Sequence, residues 1–436
     1  EPTPSDETEL ILDPAPTPAT IANVLRPLGF QDTREAYAQL QTLSQERIPF
    51  LSTRRCRYFL SEISPALLQA IGQTPDPDFT LSNLARISES LGGKGVLWEL
   101  FRSHPPSLQL YVRLCGASPY LSDLLTSSPG MIDELLDSLL LDRLPTADEL
   151  QGTAANLVRA AENPQPILAV FKNSQHLRIG VRELLGREDI SAAHRALTDV
   201  AETCVACVVR HEFRKLTERF GRPTTAAGDP CELVVLALGK YGGREPNYHS
   251  TLDLAFVFEE EGNTKAETRS QRSAVTTNAH FFQQLAQRAL KSLTELGPQG
   301  RLYETQTFLR PPGNAGPMAI SRGELKRHLL EDTIPPAERQ LLVKARPIFG
   351  SLPAQTMVAN VIADSFQAIP WRDEFHADLR RQRSVQEATA TGRNLKRAAG
   401  GTIDVETVIQ VLQWQHANVP GILGLGTLAA IERLRE

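Results

Sequence analysis

Asp253 sits in the apolar run LDLAFVFE, and the glycine-rich turn GKYGGREPNYHS leads into it with Ser250 and Thr251 immediately ahead. A second apolar run, CELVVLALG, ends where that turn begins. Strand, glycine turn, strand is a corner suited to holding a nucleoside triphosphate. The charge of a triphosphate is handled by two Mg²⁺ ions about 3.5–4 Å apart, and magnesium asks for oxygen ligands in near-octahedral geometry. Two aspartates at i and i+2 of a strand point to one face, and a third carboxylate from a neighbouring strand closes the cage. Glycines ahead of them let backbone N–H groups approach phosphate oxygens. The paired positions here hold Thr251 and Asp253, so one of the two carboxylates is replaced. A glycine turn after a strand commonly only connects elements. The signal sharpens because a long helix, a third strand and LRPPGNAG follow in order.

The elements that must position this corner can be read from periodicity. CELVVLALG and LDLAFVFE are short continuous apolar runs, the mark of buried strands. Residues 262–275 read as a polar loop, and TNAHFFQQLAQRALKSLTELGP places Phe281, Phe282, Leu285, Ala289 and Leu293 on one helical face, with Gly297-Pro298 as the stop. RLYETQTFLRP is the third strand, followed by the turn PGNAGP. Upstream, residues 29–189 read as short helices, with Ser64-Pro65, Ser118-Pro119 and Ser128-Pro129 each offering an N-cap hydroxyl before a first-turn proline. A further helix spans 192–220, and from about Ile334 helices resume, including TIDVETVIQVLQWQHA. The opening EPTPSDETELILDPAPTPAT, rich in Pro, Thr and acids, reads as a linker or tail.

At 436 residues the chain allows about three domains. No run approaches the roughly 18 apolar residues of a membrane span, so a membrane-spanning helix is not expected. The net charge is −5 with no basic stripe, which argues against nucleic acid as a partner. Five scattered cysteines make no disulfide framework, and with no signal peptide ahead of them the cytoplasm is the expected compartment. Cys204 and Cys207 form a CxxC on a helical pattern without a second Cys or His pair, so they are read as packing residues. The chain starts on Glu and stops in the helical run LAAIERLRE, and is expected to be a piece of something longer.

GKYGGREPNYHSTLDLAFVF, GRLYETQTFLRPPGNAG, LLVKARPI and NLKRAAGGTIDVETVIQ together resemble the glutamine synthetase adenylyltransferase family, whose members fuse two related nucleotidyltransferase halves. The upstream run SHPPSLQLYVRLCGASPYLSDLLTSSPGMIDELLD resembles the segment leading into the C-terminal, adenylylating half, so the likeness runs from about Gly29 to the end. It implies an α+β fold: a polymerase-β-like nucleotidyltransferase domain, a small mixed sheet with helices, flanked by N-terminal and C-terminal all-helical regions. The boundaries this suggests are 1–28 for the tail, 29–165 helical, 166–333 nucleotidyltransferase and 334–436 C-terminal helical.

The resemblance also implies the chemistry: AMP transfer from Mg·ATP to a tyrosine of glutamine synthetase in one half and its phosphorolytic removal in the other, balanced by PII signal protein and glutamine. Position by position, Gly239, Lys240, Gly242, Gly243, Glu245 and Asn247 match the family's GKLGGxELN, apart from Tyr241 and Pro246. Ser250 and Asp253 match SDLDL, whose first Asp is here Thr251. YETQTFLRP lies over a pattern close to YEVDxRLRP, so Gln306 takes the place of the third carboxylate and Phe308 that of an arginine. Arg310, Gly313, Asn314, Gly316, Lys344, Arg346, Lys396, Gly400, Gly401, Asp404 and Glu406 fit. The resemblance thus points to Gly239, Lys240, Gly242, Gly243, Ser250 and Arg310 for nucleotide binding. It leaves Asp253 as the catalytic and metal-binding acid, with two of three metal carboxylates missing. Glu304, two residues before Gln306, already has a counterpart in the family pattern and is not read as a replacement ligand. His249 is read as a surface-loop residue.

The expectation is an adenylyltransferase-family half that keeps its fold but has lost or badly weakened AMP transfer. It would act by binding glutamine synthetase or PII, or by supporting a catalytic sister half. An active enzyme with relocated metal ligands and a non-catalytic helical scaffold are the competing readings.

Overall fold

The computed structural model describes residues 5–46, 51–90, 92–128, 130–131, 143–266, 275–310, 316–331, 334–391 and 394–436. It is a mixed α+β structure, mostly helical with a small mixed sheet, and it divides into two compact units: residues 1–144 with 173–193, and residues 145–172 with 194–436. Among the described residues no helix is long and apolar enough to cross a membrane.

The first unit is helical. Leu40, Leu60, Leu67, Leu84, Trp98 and Tyr111 are among the residues of its one continuous apolar core. Two expectations fail here. The opening segment is not a tail: Asp6–Leu12 and Pro18–Leu25 are helices capped by Ser5 and Thr17, and Leu10, Ile11 and Leu25 are buried in that core. Helices this short are marginal in water, and burial of those apolar residues outweighs the polar composition. Ser64-Pro65 does not start a helix either, because Pro65 lies inside the Thr53–Gly72 helix. Pro65 has no N–H for the Ser61 carbonyl four residues back; the hydroxyls of Ser64 at 2.9 Å and Thr8 at 3.2 Å donate to that carbonyl instead. Ser118 does cap the Pro119–Ser127 helix, accepting from Leu121 N. The Ser128-Pro129 start and most of PGMIDELLDSLL lie outside the described residues.

The second unit holds a five-stranded sheet and a two-stranded one. The strands are β1 (Arg222–Thr224), β2 (Leu233–Ala237), β3 (Leu252–Phe258), β4 (Asn263–Lys265), β5 (Thr305–Thr307), β6 (Ala319–Ser321) and β7 (Arg346–Phe349). β2 lies between β3 and β7 and runs antiparallel to both. β5 and β6 pair in parallel with successive parts of β3, while β1 and β4 pair separately. β2 is buried throughout, as a central strand of a continuous apolar run should be. Val234, Leu236, Ala255 and Val257 share a core with Leu325, Val358, Phe366 and Trp414. Side chains alternate along a strand, so Val235 and Phe256 face the other way, the side on which Phe258 stacks on Phe282 of the Asn278–Thr294 helix at 5.1 Å. Phe281, Leu285, Ala289 and Leu293 of that helix are fully buried, as their spacing required.

Two more boundaries are corrected. The region from 334 onward is not all helical, since β7 lies within it. Its Pro347 is tolerated because β7 pairs on one side only, the position at which a sheet accepts proline. The polar loop 262–275 begins with strand β4; residues 267–274 lie outside the described ones. All five cysteines are buried and unpaired, and burial pushes the Cys204 thiol up to about 12, consistent with packing.

Candidate functional site

β2 delivers the chain to the turn and β3 carries it back. Leu238 N donates to the Asp253 carbonyl at 2.9 Å, which holds the turn's first residues against the start of β3. Gly239 adopts φ +54°, and a Cβ there would stand 2.8 Å from Asp253 Oδ2, so both backbone conformation and space favour glycine opposite Asp253. On the other side of β3, Gln306 of β5 is the register partner of Asp253. Thr251, two residues ahead of Asp253, and all three side chains line one open cleft of about 940 Å³. The expected third-carboxylate position thus falls beside Asp253, with an amide in it.

Gly239, Lys240, Ser250, Arg310, Phe308 and the exposed His249 also line this cleft. Gly242 and Gly243 do not, contrary to a phosphate-facing reading of the whole turn. A Cβ on Gly242 would lie 2.0 Å from the Lys344 carbonyl, and one on Gly243 would lie 2.9 Å from Gly426 Cα. These two glycines allow close passage of other backbone. Gly313 and Asn314 lie outside the described residues.

Several polar side chains here are already engaged. The Ser250 hydroxyl accepts from Asn247 N at 2.9 Å and donates to Asn247 Oδ1 at 3.1 Å, so it shapes the turn. Arg310 donates to the Gly316 carbonyl at 2.8 and 3.1 Å. Lys240 pairs with Glu406 at 2.9 Å, and Arg383 pairs with Asp404 while donating to the Ala398 carbonyl at 2.9 Å. Glu406 and Asp404 come from the Thr402–Gln415 helix, so the C-terminal helices complete the wall. Lys396 and Arg397, also on the wall, are exposed and make no ion pair among the described residues. Burial raises the Asp253 carboxyl to about 6, and the positive charge of Lys396 opposes that rise.

A buried network anchors the turn. Lys344 is fully buried, with its ammonium on Glu245 and donating to Thr427 Oγ1 at 2.9 Å, and Glu245 Oε2 accepts from Thr427 N at 2.8 Å. Arg346 pairs with Glu202 and donates to the Gly242 carbonyl at 3.0 Å. Lys172 was not anticipated from the sequence. Its ammonium donates to the Arg301 and Leu302 carbonyls at 3.1 Å each, just ahead of β5, and so fixes the approach to Gln306. Burial lowers its pKa. Its helical face mixes Leu168, Ala169 and Ile179 with Gln165 and His176, so nothing in the sequence sets this lysine apart.

The donor set does not fit a magnesium pair. Of the three strand positions one carries a carboxylate; a threonine hydroxyl and a glutamine amide bring no negative charge to the others. Among the described residues no group of three or more His, Cys, Asp or Glu is placed to hold a metal ion.

A family model described as glutamate-ammonia ligase adenylyltransferase matches residues 108–361. The bifunctional glutamine synthetase adenylyltransferase/adenylyl-removing enzyme of Pseudomonas aeruginosa is 30% identical over 412 residues, covering 88% of this chain and 41% of its own length. The proteins of the same name from Xanthobacter autotrophicus (30% identical, 91% and 40% covered) and Mesorhizobium japonicum (29%, 93% and 40%) match to a similar extent. The chain therefore spans about 40% of the length of these relatives. With more than half of its residues matched by the family model and a relative at 30% identity, the chain belongs to the glutamate-ammonia ligase adenylyltransferase family.

Proposed function

We propose that this chain is a family half, most like the C-terminal adenylylating one, that keeps the polymerase-β-like nucleotidyltransferase architecture but has lost or badly weakened AMP transfer. The observation that carries the reading is the strand register. Gln306 stands beside Asp253, and Thr251 stands two residues ahead of it. Two of the three positions that would hold Mg²⁺ for ATP therefore carry no charge. Removing one pre-organised electrostatic stabiliser costs about 10²–10³ in rate, and two within one unit lower activity by roughly 10⁴ or more. Asp253 would be the remaining catalytic and metal-facing acid, with Gly239, Lys240 and Arg310 along the nucleotide path and Gly242, Gly243 and Ser250 shaping the turn.

The chain then acts in the cytoplasm by binding glutamine synthetase or PII signal protein, or by supporting a catalytic sister half in a longer protein. Relocated metal ligands gain no support from Glu304, whose carboxylate accepts from Arg301 at 2.9 Å and does not line the cleft. The test incubates the chain with Mg·ATP and purified glutamine synthetase, follows the mass of the synthetase subunit, and measures binding of the two proteins by sedimentation. Binding without added AMP is the expected result. AMP on the synthetase at rates near those of the relatives would sink the reading.

A further inference from the structure

Five Lys or Arg side chains line the cleft around Asp253: Lys240, Arg310, Arg383, Lys396 and Arg397. Three acids share the same lining, Asp253, Glu338 and Glu406. Asp404 pairs with Arg383 from beside the lining, so with aspartates at 251 and 306 the acids would outnumber the bases. An anion entering it would then need added cations. With Thr251 and Gln306 in those places the five bases face four acids, Asp404 included, and one positive charge is left in excess. We propose that this cleft takes a triphosphate group without any divalent cation, its own lysines and arginines supplying the neutralising charge. The proposal rests on the reading that Thr251 and Gln306 have emptied the metal site, and it adds what the site does instead.

Three features give the proposal its geometry. First, the engaged cations are held in place: Lys240 by Glu406, Arg383 by Asp404 and the Ala398 carbonyl, and Arg310 by the Gly316 carbonyl, which leaves its charge uncancelled. Second, Lys396 and Arg397 have no ion-pair partner among the described residues, and they sit in one turn whose backbone is fixed by Asn394 Oδ1 accepting from both amides at 3.1 and 2.9 Å. Third, Lys396 and Asp253 line the same cleft, so the unpaired ammonium shares the space in which a metal-bound phosphate would sit in a relative with all three carboxylates. Phosphate oxygens take charge-assisted hydrogen bonds from such groups readily. A neutral amide at 306 and a hydroxyl at 251 remove the repulsion that carboxylates would exert on a metal-free polyphosphate.

Isothermal titration of the whole chain with ATP, and separately with inorganic tripolyphosphate, in EDTA and then in millimolar Mg²⁺, tests this. Both ligands should bind in EDTA, Mg²⁺ should leave the affinity unchanged or weaken it, and raising NaCl should weaken it. Lys396→Gln together with Arg397→Gln should weaken binding by about tenfold or more. Both side chains are exposed, so this variant keeps the fold, which its melting temperature will report. Binding of ATP but not of tripolyphosphate would place recognition in the base and ribose and overturn the proposal. Binding only with Mg²⁺ overturns it too, as does no binding in either buffer. In that last case the loss of AMP transfer proposed above stands independently, because it is read from the mass of glutamine synthetase.

Discussion

Thr251→Asp combined with Gln306→Asp should turn a metal-indifferent cleft into a metal-demanding one. Gln306 is the register neighbour of Asp253, and paired strands lie about 4.8 Å apart. Two unit charges about 5 Å apart at an effective dielectric near 20 repel by about 3 kcal/mol. Gln306 is exposed and Thr251 half-buried, so screening brings each new repulsion to about 1–3 kcal/mol. Without metal the double variant should therefore melt lower than the parent, by about 2–4 °C for each kcal/mol lost. Carboxylates at 253 on β3, at 306 on β5 and at 251 just ahead of β3 then form an oxygen cage. At Mg²⁺ about a hundredfold above its dissociation constant the folded state regains about 2.7 kcal/mol by linkage. The assay is melting temperature against Mg²⁺ concentration, with and without ATP, for parent, both single variants and the double variant. AMP transfer stays weak in this reading, because Phe308 still stands where the family pattern has an arginine. If the double variant shows no Mg²⁺-dependent rise beyond the parent's, the three residues do not share a metal site.

Leu285→Ala should cost about 2–5 kcal/mol in urea denaturation through lost burial and a cavity under the sheet; a change below about 0.5 kcal/mol would mean that helix does not cover β2 and β3. Lys344→Met leaves the half-buried Glu245 without its cation and should cost about 3 kcal/mol, while Lys344→Met with Glu245→Gln should recover part of that loss. Asp253→Asn should stabilise the protein at neutral pH and not in acid. The folded-state pKa is raised from 3.8 to about 6, so the parent loses stability as pH rises through that window. The loss is at most about 3 kcal/mol above it. Melting temperatures that differ equally at pH 4 and pH 7 would rule out this origin.

The strands beside the cleft were legible because CELVVLALG and LDLAFVFE bury both faces and therefore read as unbroken apolar runs. The helix over them was legible because Phe281, Leu285 and Leu293 recur at helical spacing. β7 was not, since Arg346 and Pro347 have no strand preference and the segment is extended only because β2 offers an edge. The helices at Asp6–Leu12 and Pro18–Leu25 were hidden in the same way: their composition is that of a tail, and the core they pack on is distant in sequence. In the site, spacing on an apolar run located Asp253 and Thr251, the family resemblance located Gln306, and strand register sets Gln306 beside Asp253. What residue types could not separate was which glycine faces the cleft, Gly239, and which ones admit a crossing chain, Gly242 and Gly243. Nor could a string of letters show that Lys344 and Lys172 point inward, because buried charge is read from its partners.

β7 also has a consequence for how the protein is made. β2 reaches its second neighbour only when Arg346 arrives, and the Arg346 side chain contacts Gly242, 104 residues earlier. The Glu245–Thr427 link spans 182 residues. On the ribosome the central strand therefore emerges long before the segment that covers its open side, and until then its N–H and C=O groups are a template for any other extended chain. Such distant pairings also slow folding. A translation stall or a proteolytic cut between β6 and β7 would thus yield an aggregating species, so expression boundaries for this protein belong beyond Thr427, well past the end of the sheet.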